Sequence, residues 1–213
     1  MSDVRVMGTR PSARAVRYRR QLLAELIDHT AERGGDRVFA LAAGHLREIG
    51  LSRAVRDGSL TEVVAVDADE ASLSVVAQEY AHLGVQAVPG SVRQILAGKG
   101  PRGQFDLVYA AGLYDYLDDA VAAALTRRLF AMTRPGGTLL IPNFKVGARD
   151  TGYMESFMDW TLIYRDHAAM ERLVASLPGG EVDRHDVFDD ESETITFLLV
   201  SKRHRERSLA VAN

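Results

Sequence analysis

Cysteine is absent from the 213 residues, which excludes disulfides, thiolate metal ligands and a thiol nucleophile. That absence suits a reducing compartment, and a cytoplasmic protein is the expectation. Long apolar runs are missing too. Residues 1–9 lack the apolar segment of a secretion signal, and no stretch approaches membrane-spanning length. The six histidines, at 29, 45, 82, 167, 185 and 204, stand too far apart for a zinc-ligand spacing, so no metal is expected. Neither sign of charge dominates. A net charge of −3 gives no general attraction to nucleic acid or to an anionic membrane, and a small-molecule partner is expected instead. Internal repeats, low-complexity stretches and interdomain linkers are also lacking.

What is present is an ordinary globular composition, 46% hydrophobic and 26% charged, at a length that suits one α/β domain over residues 1–213. The most informative stretch is 105–144. It reads as a buried strand at Phe105–Tyr109, a loop of small and aromatic residues, an amphipathic helix, a Pro-Gly-Gly turn and a second buried strand at 138–141. Val121, Leu125, Leu129 and Met132 fall on one face of a 3.6-residue period, and Asp118 and Asp119 supply a cap and favourable dipole charge. A strand–helix–strand unit of this kind is a parallel α/β module. Such sheets bind ligands where their strands end, here at 110–117 and 143–144.

The rest of the chain extends the pattern. Residues 12–33 predict a helix with Leu22, Leu23, Leu26 and Ile27 on one face, stopped by Gly34-Gly35. Arg10, Arg14, Arg17, Arg19 and Arg20 crowd its start, either as a solvated face or as a contact for an anionic ligand. Strands are expected at 38–42, 62–66 and 85–88, with helices at 46–55 and 70–82. A less regular, aromatic-rich segment at 145–177 precedes a terminal antiparallel hairpin of 182–187 with 194–200. The fold expected is α/β and Rossmann-like, with seven strands, mostly parallel, and an antiparallel strand at the C-terminus.

Residues 105–144 resemble, in element order, lengths and turn, the fourth and fifth strands of class I methyltransferases that use S-adenosylmethionine (SAM). Gly-His-Leu-Arg-Glu at 44–48, Gly-Leu-Tyr-Asp-Tyr-Leu at 112–117, Pro-Gly-Gly followed by Asn-Phe, and Tyr-Met, Asp-Trp and Ile-Tyr-Arg between 153 and 165 together resemble one branch of that superfamily. Its members are often labelled as making methyl esters of hydroxy fatty acids. The likeness covers about residues 12–200.

The resemblance implies SAM as cofactor, held by Gly44, Glu48, Asp67, Ala68, Ser91, Val92, Ala110 and Asn143. Two turn glycines common in the family are replaced here by Ala42 and Leu46, and the acid that often ends the first strand is Ala40. Asp67 ends the second strand 23 residues past Gly44, where a carboxylate can accept hydrogen bonds from both ribose hydroxyls. Glu48 is a candidate for the SAM ammonium, and Val92 for the wall against adenine. Asp115, Tyr116 and Tyr164 are the candidate catalytic groups, and Tyr114, Tyr153, Asp159, Trp160 and Arg165 the candidate substrate contacts. Aromatic faces among them could hold a sulfonium by cation–π attraction.

Three functions are compatible with these residues. The first is methyl transfer to oxygen or nitrogen of a small molecule. The second is a SAM-consuming cyclisation, like that of azetidine-2-carboxylate synthases, which would release methylthioadenosine. The third is a non-catalytic scaffold. An NAD-type Rossmann domain is disfavoured, because its three-glycine fingerprint is absent and a hairpin follows the fifth strand.

Overall fold

Apolar runs of five or six residues alternate along the chain with amphipathic stretches, and the runs at 37–41, 62–67 and 105–109 become central strands buried on both faces. The computed structural model describes residues 11–148 and 162–204. Helix α1 (Pro11–Glu32) leads into β1 (Arg37–Leu41), the short α2 (Arg53–Arg56), β2 (Glu62–Asp67), α3 (Glu70–Tyr80) and β3 (Val85–Pro89). Then come α4 (Val92–Leu96), β4 (Phe105–Tyr109), α5 (Asp119–Met132), β5 (Thr133–Phe144), α6 (His167–Ala175), β6 (Val182–Asp189) and β7 (Ile195–Lys202). The strands form one seven-stranded sheet in the order β3-β2-β1-β4-β5-β7-β6. Pairings among β1 to β5 are parallel, whereas β7 runs antiparallel to both β5 and β6. That is the expected α/β architecture, with its antiparallel C-terminal strand.

Side-chain alternation divides the core into two layers. On one face Phe39, Leu41, Val64, Val66 and Val108 pack against Leu125, Leu129 and Met132 of α5 and against Met170 and Leu173 of α6. On the other, Val38, Ala40, Val63, Leu107 and Tyr109 pack with Ala15, Leu23 and Ile27 of α1 and Val76 of α3. Full burial of each large aliphatic side chain contributes about 1.5–3 kcal/mol, so α1 and α5 are held chiefly by these stripes.

Four expectations need correction. The first strand ends at Leu41, because Ala42 turns to φ 52° and leaves the sheet. Residues 46–55 are not one helix. Leu46 has φ 50°, turns follow, and only Arg53–Arg56 is helical. Ser52 starts that turn afresh by accepting from the Val55 N–H and donating to Asp28 (2.6 Å). The Pro-Gly-Gly stretch lies inside the longer β5, as a register irregularity against β4, and does not form a separate turn. Finally, the segment read as irregular contains α6, capped by Asp166 accepting from the Ala169 N–H.

Candidate functional site

The carboxyl ends of β1, β2 and β4 come together at one rim of the sheet, as the crossovers of a parallel sheet require. The turn after β1 follows an alternating pattern, with Ala42, Gly44 and Leu46 at φ 52°, 53° and 50°. A left-handed non-glycine residue costs roughly 1–2 kcal/mol. Leu46 offsets the cost by burying its side chain at 1% exposure. Ala42 is half-buried and has no comparable compensation. Ala42→Gly should therefore raise the unfolding free energy by about 0.5–1 kcal/mol in a urea titration; a loss instead would mean that the methyl group's packing outweighs the strain.

Asp67, the last residue of β2, ties this turn down. Gly44 N–H donates to Asp67 Oδ2 (2.7 Å) and Asp69 N–H to Asp67 Oδ1 (2.9 Å). Asp69, not Asp67, caps α3 by accepting from Ala71 and Ser72. Each Asp67 oxygen keeps a further lone pair for another donor. At the end of β3, Gly90 passes so close to β2 that a Cβ there would stand 2.8 Å from Val66. Ser91 then forms a reciprocal capping box with Gln94, and Val92 lies half-buried against the α5 layer.

Above β1 and β4 sits a cluster of enclosed charges. The Tyr109 hydroxyl donates to Glu48 Oε1 (2.8 Å), and both residues are buried. Burial raises the Glu48 pKa, offset by hydrogen bonds from its own N–H and from Tyr109 and by the charges of Arg19 and Arg20. Arg19 reaches from α1 toward the loop after β4, where a Cβ on Gly112 would lie 3.8 and 3.9 Å from its terminal nitrogens. Burial lowers the Arg19 pKa, against the opposing pull of Asp115, Glu48 and Tyr116.

The loop after β4 is fixed by one arginine. Arg165 is 1% exposed. It donates to the Tyr114 carbonyl (2.7 Å), Asn143 Oδ1 (2.8 Å), the Leu117 carbonyl (2.6 Å) and Asp119 (2.9 Å). The Asn143 amide in turn donates to the carbonyls of Phe144 and Ile163, both at 2.9 Å. Asp115 accepts from the Phe144 N–H at 2.6 Å while its carbonyl accepts from the Ile163 N–H. Burial raises the Asp115 pKa, opposed by that Phe144 bond and by Arg19, its own N–H and Arg165.

Comparison with known proteins now bears on this rim. Residues 38–137 match a family model described as a methyltransferase domain. No curated protein matches the chain. Among solved structures, a possible exported protein of Bordetella parapertussis superposes with a TM-score of 0.68 at 18% identity, over 93% of this chain and 72% of that one. A candidate O-methyltransferase from Nostoc punctiforme PCC 73102 gives 0.64 at 16% identity, over 86% of this chain and 55% of that one. Magnesium protoporphyrin IX methyltransferase from Synechocystis PCC 6803, with bound SAH, gives 0.62 at 12% identity, over 89% and 86%. This is a class I methyltransferase fold. Match and fold together imply S-adenosylmethionine as the methyl donor.

Within the methyltransferase fold the candidate residues sort by place. Gly44, Glu48, Asp67 and Ala68 gather at the ends of β1 and β2, and Ser91 and Val92 at the end of β3. Ala110 is fully buried in the α5-side core, so only its backbone can serve a ligand. Three expectations are corrected. Tyr114 is a core residue, 0% exposed, with its hydroxyl on Thr126 (3.0 Å), and is no substrate contact. Arg165 is a staple of the β4 loop, with its guanidinium turned to protein carbonyls. Asn143 spends its amide on that same scaffold and has no hydrogen left for a cofactor. Tyr116 is 56% exposed and Tyr164 half-buried, whereas Tyr153, Asp159 and Trp160 lie outside the described residues. Tyr109 was missed by the strand reading, although a hydroxyl at the end of a buried strand is itself a signal.

Proposed function

We propose that the protein is a SAM-dependent methyltransferase acting on oxygen or nitrogen of a small molecule. The observation that carries this reading is Asp67. A carboxylate at the end of β2 anchors the turn after β1 through Gly44 and keeps lone pairs for two ribose hydroxyls. The close approach at Gly90 and the strained turn at 42–46 add the backbone proximity that a nucleoside requires. The donor, when bound, supplies a methyl group already activated on sulfur.

The protein is left to bind, orient and exclude water. Glu48, held by Tyr109, offers a carboxylate to the ammonium of the donor. Asp115, fixed on one oxygen by Phe144, keeps a second oxygen whose basicity is raised by burial, which suits acceptance of a proton from an alcohol or ammonium acceptor. Tyr116 and Tyr164 flank it in sequence or across the Arg165 scaffold. Among the described residues no helix is long and apolar enough to cross a membrane, and the cysteine-free composition fits a reducing cytoplasm.

The test is product analysis by mass spectrometry after incubation with SAM and a pool of small metabolites. S-adenosylhomocysteine together with a methylated metabolite is the expected result, and Asp115→Asn should slow its formation about 100-fold if the acceptor carries a proton. Methylthioadenosine as the product would replace transfer by cyclisation. No calorimetric binding of SAM at millimolar concentration would leave a scaffold.

A further inference from the structure

The crossovers of the sheet are unequal. Between β4 and β5 the chain lays down a helix of fourteen residues, and between β2 and β3 one of eleven. Between β3 and β4 only the five residues Val92–Leu96 are helical. The register sets Val64 beside Gln86 and Val66 beside Val88, so these four side chains share one face where the sheet ends at β3. A helix as short as α4 leaves part of that face uncovered. The result is a half-open cavity of about 500 Å³, lined by those four residues together with Ile95 and Pro101. Its volume lies within the roughly 300–1,000 Å³ of small-molecule sites.

The floor of this cavity is apolar and dry, with Val64 and Val66 at 2% and 1% exposure. Its charged lining is Glu62, Lys99 and Arg102. Arg37 donates to Glu62 (2.6 Å) and to the Arg102 carbonyl (3.5 Å), which sets both residues at the amino ends of the strands and neutralises the carboxylate. Among the described residues the side chains of Lys99 and Arg102 make no ion pair and no hydrogen bond. The cavity therefore joins an apolar floor to two positive charges that no carboxylate answers. An uncharged apolar molecule uses only the floor, and a hydrophilic anion only the charges. A molecule with an apolar body and one anionic group uses both.

We infer that the cavity beneath α4 is a binding site for an amphipathic organic anion, with its carboxylate or sulfonate against Lys99 and Arg102 and its apolar body along Val64, Val66 and Val88. The Arg102 fork gives the anion planar, charge-assisted hydrogen bonds, and Lys99 adds a point charge. The site is separate from the carboxyl rim. Pro89 and Gly90 close its other end, and Gly90 packs so tightly on Val66 that no side chain fits between them. The inference does not rest on the methyltransferase reading.

Fluorescence titration with anilinonaphthalenesulfonate, an apolar anion that brightens when it leaves water, tests the site. The unmodified protein should bind one equivalent, decanoate should displace it, and decanol should displace it about tenfold less well, since it lacks the charge. The double variant Lys99→Glu, Arg102→Glu changes two exposed positions and should melt like the unmodified protein. It should bind the probe and decanoate at least about tenfold more weakly and decanol as before. Gln86→Trp, which fills the cavity from β3, should abolish binding of all three. Saturating S-adenosylhomocysteine should leave the probe in place. Equal probe affinity in the charge-reversed variant would overturn the inference, and that comparison stands even if Gln86→Trp fails to fold. Displacement by S-adenosylhomocysteine would overturn it too, because the probe would then occupy the rim. A protein that binds the probe as described but no S-adenosylhomocysteine keeps this site and loses the donor reading.

Discussion

Arg165→Met should lower the unfolding free energy by roughly 3–5 kcal/mol. The side chain is 1% exposed, so water cannot replace what it binds. Removing it leaves the Leu117 carbonyl and the amide oxygen of Asn143 without that donor, and the Tyr114 carbonyl with the Leu117 N–H alone. The contact to Asp119 adds little to this total, because that carboxylate is 73% exposed and screened by solvent. For a domain of this size the loss corresponds to a fall in melting temperature of roughly 6–20 °C by scanning calorimetry. Arg165→Lys should fall between, since one ammonium cannot span acceptors arranged for a fork. An unchanged melting temperature in the methionine variant would show that the loop is held by other means. A substrate-binding arginine predicts the opposite pattern, lost turnover with intact stability.

That contrast marks the boundary of what the residues disclosed by themselves. Buried parallel strands leave an unmistakable trace, because a run such as Val63-Val64-Ala65-Val66 has no polar side to show. Phe105–Tyr109 was accordingly legible to the residue. The loop anchors were not. A polar residue just past a strand has the same identity whether it faces a ligand or pins a backbone, and its partner decides between the two. Arg165 is separated from its acceptors Leu117 and Tyr114 by 48 and 51 residues, and Glu48 from Tyr109 by 61. No local period encodes such pairs.

The turn after β1 failed to show itself for a different reason. Alternating left-handed residues are usually written as glycines, and two of the three positions carry Ala42 and Leu46. The backbone keeps the conformation while the letters hide it, and for the same reason the helix expected over 46–55 was broken. Asp67 remained readable as a strand-end carboxylate, because the strand that it ends is itself visible.

Asp67→Ala should reduce SAM affinity by roughly 2–4 kcal/mol, or about 30- to 1,000-fold in Kd, measured by calorimetry. In the proposed reading the variant removes two charge-assisted hydrogen bonds to the ribose. It also frees the Gly44 N–H, which the carboxylate now holds at 2.7 Å. That second effect costs about 1 kcal/mol of stability and must be separated from the first. Asp67→Asn separates them. Its carboxamide oxygen can still accept from one backbone N–H, so the turn survives, but its NH2 group meets ribose hydroxyls as a donor where an acceptor is needed. The asparagine variant should therefore melt near the unmodified protein and still bind SAM poorly. Methylthioadenosine should weaken in parallel with SAM in both variants, since the ribose is common to the two. A variant that loses SAM but keeps methylthioadenosine would move Asp67 away from the ribose and toward the amino-acid end of the site.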